Sequence, residues 1–165
     1  MTEIELGPVT VALVQVPSGK AAPGAAAPAP DYLFSTDEDE VRSLPRPARL
    51  PAGLDFLDAT LFRAPAQVDI WTYADQASGR SLTLVRTGTD ALPRGAAGSP
   101  VVYVPGQDLR EAKIAGGTAV HVVISEDPAW RGPRTTFVWM KDDSVLQISG
   151  RGLSDQELEE TAASI

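Results

Sequence analysis

His121 is the only histidine of the chain, so a Ser-His-Asp device or a histidine general base would have to be built on it. It sits in Ala119-Val120-His121-Val122-Val123. In a strand, alternation puts it on the side of Ala119 and Val123 and sends Val120, Val122 and Ile124 to the other. That setting reads as a structural or half-exposed histidine, and no Gly-x-Ser-x-Gly elbow supplies a nucleophile. A small hydrolase centred on His121 is kept as the enzymatic alternative; it requires a nucleophile or carboxylate within hydrogen-bond reach of the ring.

The other residues with chemical potential have simpler expected roles. Asp37 to Glu40, Glu126-Asp127 and Asp142-Asp143 offer the carboxylate oxygens that Ca²⁺ takes. None has calcium-loop spacing, and a helix start, a loop and a turn account for them, so no metal site is expected. Gly95, Gly98, Gly106 and Gly116-Gly117 are not followed by Lys-Ser/Thr opening a helix, which leaves them as turn glycines and gives no cofactor. A glycosidase-type carboxylate pair needs a deep cleft, which a small antiparallel domain does not obviously offer. Trp130-Arg131-Gly132-Pro133-Arg134 joins an aromatic to two arginines, a composition enriched at protein interfaces. Trp130, Arg131 and Arg134 are therefore the candidate partner-binding residues.

These residues need elements to hold them. A chain of 165 residues buries roughly 70% of its unfolded surface when it folds as one domain, which is enough for a core. Twenty-two acids against fourteen bases give a net charge of −8, which repels a phosphate backbone and argues against nucleic acid as a partner. With no cysteine, disulfides and thiolate metal sites are excluded, and the compartment is left open. Val9 to Val16 is too short to span a bilayer, and Thr2-Glu3-Ile4-Glu5 lacks the basic start of a signal peptide. Any membrane attachment is expected through a tether outside this chain, with Met1 then marking a truncation.

Residues 1–16 are expected to give an N-terminal strand, centred on the β-branched run Val9 to Val16. Residues 17–34 have too little apolar bulk to pack and too many prolines for a helix, so they read as an Ala/Pro-rich linker. Residues 35–165 are read as a single α+β domain. Ser35-Thr36-Asp37-Glu38 matches a capping box and predicts a short acidic helix ending before Pro45. Leu50 to Leu54 reads as an edge strand or turn, and Val68 to Tyr73 with Ser81 to Arg86 as a hairpin. A Gly/Ala/Pro-rich loop spans 87–100, followed by strands over Val101 to Val104 and Thr118 to Ile124.

The C-terminal segment gives the most definite expectation. Thr135 to Met140 and Val145 to Ser149 flank Lys141-Asp142-Asp143-Ser144. A tight turn on the aspartates places Trp139 opposite Leu146 and Phe137 opposite Ile148. Ser154 and Glu157 form a second capping box, with Leu153 and Leu158 as its hydrophobic staple. Leu158, Ala162 and Ile165 then make an apolar stripe predicted to lie on the Phe137/Trp139 face. The fold class is α+β, a curved antiparallel β-sheet with the C-terminal helix packed on one face.

From Ser35 to the end the chain carries a recognisable order of features. Glu40-Val41-Arg42 precedes a Pro-rich approach, then come Leu50-Pro51-Ala52-Gly53-Leu54 and the Val68 to Tyr73 strand. Phe137-Val138-Trp139 with its Asp142-Asp143 turn follows, and Gly152-Leu153-Ser154-Asp155-Gln156-Glu157-Leu158 leads to Ala162-Ala163-Ser164-Ile165. This order resembles a bacterial domain of unknown function found outside the membrane in anti-sigma factors and lipoproteins. That domain is similar to the periplasmic lipoprotein-carrier and anti-sigma-regulator group. The resemblance implies a non-catalytic, extracytoplasmic sensory or protein-binding domain of the cell envelope, with no catalytic residues to carry over. The alternative it brings is a carrier of a lipid or other apolar ligand, which requires a cavity between sheet and helix.

Overall fold

The computed structural model describes residues 2–15, 33–127 and 132–165. In chain order these form β1 (Glu3–Leu6), β2 (Val9–Gln15), β3 (Leu33–Ser35), helix α1 (Glu38–Arg42), β4 (Asp55–Ala64), β5 (Val68–Asp75) and β6 (Arg80–Gly88). There follow β7 (Val101–Gly106), β8 (Asp108–Ile114), β9 (Gly117–Asp127), β10 (Gly132–Lys141), β11 (Ser144–Arg151) and helix α2 (Asp155–Ala163). Eight strands make one sheet in the order β3-β4-β5-β6-β11-β10-β9-β8, and β1-β2-β7 make a second. The class is α+β, dominated by antiparallel strands, with α2 on one face of the larger sheet.

The register sorts side chains into continuous rows across the larger sheet. Ala59, Trp71, Leu84, Ile148, Phe137 and His121 stand opposite one another in succession. Their face receives Leu158 and Ala162 of α2 and forms the main core with Leu61, Leu82, Leu146 and Trp139. On the opposite face runs Thr60, Ile70, Val85, Gln147, Val138 and Val120. There Val120, Val122, Val138 and Val145 pack against Leu6, Val9, Val11 and Leu13 of the smaller sheet and Val102 and Val104 of β7. Residues 2–15 thus share a core with the larger sheet, covering its β8, β9 and β10 end.

The hairpin Thr135–Ser149 forms with the expected register, Trp139 opposite Leu146 and Phe137 opposite Ile148. Asp142 takes the turn at φ 54°, a conformation that Asp tolerates better than most residues. Ser154 caps α2, and its box with Glu157 is complete: the Ser154 N–H donates to Glu157 Oε2 at 2.8 Å and the Glu157 N–H to Ser154 Oγ at 3.1 Å. Leu158 seats so closely on Gly150 that a Cβ there would lie 2.7 Å from Leu158 Cδ2.

Several local expectations need correction. The N-terminal segment forms two strands, turning at Gly7 (φ 61°), because Glu3–Leu6 pairs back on Val9–Ala12. Ser35 does not cap α1; it is paired in β3 and accepts the Asp37 N–H, so Asp37 caps the helix by accepting the Asp39 N–H at 2.9 Å. Leu50 to Leu54, where an edge strand or turn was expected, is the turn, closed by the Leu54 N–H donating to Pro51 O at 3.2 Å. Strands β4 and β8 fall where no strand was expected. Of the stretch read as linker, Leu33 and Phe34 belong to β3, and residues 17–32 lie outside the described residues.

Candidate functional site

Of the three partner-binding candidates, Trp130 and Arg131 lie outside the described residues. Arg134 is on β10, on the face away from α2, at a cleft of about 230 Å³. Strand alternation builds that cleft. Thr83, Ser149 and Thr136 come from β6, β11 and β10 at directly opposed positions, and Val104 and Pro105 of β7 stand above them as a wall. Two hydroxyl pairs run along this line, Thr72 with Thr83 at 3.1 Å and Thr136 with Ser149 at 2.8 Å. The result is a ladder of four hydroxyls across four strands, continuing beyond the edge of the small sheet's cover.

A second feature is the start of β4. Strand β3 pairs with β4 only at Leu61, Phe62 and Ala64. From Asp55 to Thr60, β4 is bonded to β5 on one side and, among the described residues, has no strand on the other. Four successive residues, Asp55 to Asp58, are exposed, so both faces of the segment reach solvent. Phe56 and Leu57 are 43% and 47% exposed, and the register shift between Phe56 and Asp58 leaves Leu57 outside the cross-strand pairing.

Beside this edge lies a cleft of about 300 Å³, lined by Gly53, Asp55, Phe56, Leu57 and Asp75 among others. Asp75 accepts from Ser78 Oγ at 2.8 Å and from the Ala77 N–H at 3.1 Å. The Ser78 hydroxyl bond, against a smaller effect of burial, holds this carboxyl below the usual range, so the cleft keeps its negative charge. Arg80, at the far end of the same turn, is engaged by Glu157 Oε1 at 3.2 Å.

His121 stacks on Phe137 with centroids 4.6 Å apart and planes 7° from parallel. Its Nε2 is 3.7 Å from Asp155 Oδ2, beyond hydrogen-bond length, and has no hydrogen-bond partner among the described residues. The histidine is thus a ring at the edge of the core, with Asp155 as its near carboxylate. Between the sheet and α2, Leu158 fills the space over Gly150.

The face under α1 carries a polar group that the sequence reading missed. Asp69, 2% exposed, accepts from Arg63 Nη1 at 2.8 Å and from Arg86 Nη2 and Nε at 2.8 and 3.1 Å. Arg63 also donates to Glu40 of α1 at 3.1 Å. The Asp69 bond, against a smaller effect of burial, raises the Arg63 guanidinium further, and the group fastens α1 to the sheet. A usable signal was present: on the predicted hairpin, Asp69 shares a face with Trp71 and Tyr73 and stands opposite Arg86. Compared with known proteins, the chain matches no family profile, no curated protein and no solved structure.

Proposed function

We propose that the chain is a non-catalytic protein-recognition domain of the bacterial cell envelope that engages its partner by adding the partner's strand to the free edge of β4. The carrying observation is that edge: Asp55–Thr60 presents strand backbone with no partner strand among the described residues, beside exposed Phe56 and Leu57. Strand addition draws affinity from main-chain hydrogen bonds and specificity from side-chain pockets. Here the pocket is the cleft holding Asp55 and Asp75, next to an exposed Asp58, so the complementary partner strand carries a Lys or Arg beside apolar residues. In this reading the larger sheet curves about α2 and the partner continues it beyond β4. The envelope setting, and a role in anti-sigma-factor signalling, rest on the resemblance of the segment ending in α2.

A photo-crosslinking residue at Leu57, introduced in the native bacterium, tests the reading. The expected result is one discrete protein adduct that disappears in Phe56→Asp and that changes sigma-factor-dependent transcription when lost. Adducts equally strong at a control position on the exposed face of α2, or insensitive to Phe56→Asp, overturn it.

A further inference from the structure

We infer that the cleft between β7 and the hydroxyl ladder of the larger sheet is a binding site for a sugar of one ring. It is independent of the β4 edge, lying on the opposite face of the sheet from α2 and under the small sheet's border.

Size sets the first limit. At about 230 Å³ the cleft is below the roughly 300–1,000 Å³ of sites that hold drug-sized ligands, which suits a single ring. Chemistry sets the second. Its floor offers Thr83, Thr136 and Ser149 hydroxyls with the Gln147 amide, and among the described residues no carboxylate lines it. Each hydroxyl pair uses one of its two hydrogens internally, so every pair retains a hydrogen to donate and lone pairs to accept. A surface that both donates and accepts, without fixed negative charge, is matched by a ligand whose own groups are hydroxyls. Val85, Val104 and Pro105 supply the apolar surface against which the C–H face of a ring packs.

Cross-strand hydroxyl pairs contribute to sheet stability wherever they occur. That accounts for Thr72 with Thr83 and Thr136 with Ser149. It does not account for Val104 and Pro105 standing off from them to leave an open, polar-floored cleft, where the neighbouring rows under the small sheet are packed valine.

The test is a titration of the isotopically labelled full chain with glucose, galactose, N-acetylglucosamine and glucuronate, followed by amide chemical shifts. The inference expects saturable shifts from at least one of these, concentrated at residues 83–85, 104–106, 134–136 and 147–149. It also expects at least about a tenfold weaker Kd in Gln147→Leu/Ser149→Ala. If that double variant does not fold, Gln147→Ala alone is expected to weaken binding by about threefold or more. The inference is overturned if none of the four sugars gives saturable shifts up to about 50 mM, well beyond the millimolar Kd that so small and open a cleft implies. It is equally overturned if saturable shifts map to other residues, or survive unchanged in the folded variants.

Discussion

At the residue scale, burial converts two ordinary side chains of β5 into sensitive points. Tyr73 is 4% exposed, and among the described residues neither its hydroxyl nor the Trp71 N–H makes a well-formed hydrogen bond. Burial pushes the Tyr73 hydroxyl up, opposed by the Arg46 charge and the nearby Trp71 indole. A raised folded-state value means that the stability is fully present below the unfolded value of about 10 and is lost as pH rises through the folded one. Urea unfolding of Tyr73→Phe should therefore fall less steeply than wild type above about pH 10, and the two should respond alike to pH near neutrality. Asp69 is the other point. Asp69→Ala leaves Arg63 and Arg86 facing each other across a buried gap and should cost about 3–5 kcal/mol in the same assay, whereas an effect below about 1 kcal/mol would show that the arginines relax to solvent. Asp69 was legible only in retrospect: Arg86 lay in the expected hairpin, but its other partner, Arg63, sits in a strand whose sequence did not announce itself.

At the scale of elements, legibility followed locality. The β10–β11 hairpin and α2 are specified by turn, cap and staple within a few residues of one another, and those signals agree with the packing they lead to. Ser154→Ala should cost about 1 kcal/mol, and Leu158→Ala about 2–5 kcal/mol because Leu158 is fully buried against Gly150; chemical denaturation that ranks the cap above the core residue would contradict this arrangement. Strands β4 and β8 escaped for a physical reason. Asp108-Leu109-Arg110-Glu111-Ala112-Lys113-Ile114 is an edge strand whose charged residues discourage further pairing and blur its alternation. In β4, a register shift breaks the period at Leu57, and exposure on both faces at Asp55–Asp58 leaves no apolar side to read. The features that hide β4 from a periodicity search are those that make its edge available.

For the whole molecule, the decisive contact is the one between the two sheets. Gly106 ends β7 where a Cβ would run into Val122 and lie 3.1 Å from Leu13 Cδ1, so the small sheet approaches the large one through a position only glycine fills without displacement. Gly106→Val should cost about 1–3 kcal/mol or more, and it should raise amide exchange across β1, β2 and β7 before that of β5 and β6; uniform loss of protection would mean that the two sheets do not loosen separately. None of this joint was legible in the sequence. Thr10 pairs in parallel with Val101, and no local pattern couples segments so far apart. The same pairing has a temporal consequence. A ribosome delivers Glu3–Gln15 long before residue 100, yet their parallel neighbour and most of the valines they cover emerge only after it. This segment must therefore wait, with Val9, Val11 and Leu13 uncovered, until the later strands have appeared. Pairings of such long range are slow to close, so Glu3–Gln15 is a stretch on which a holdase would act.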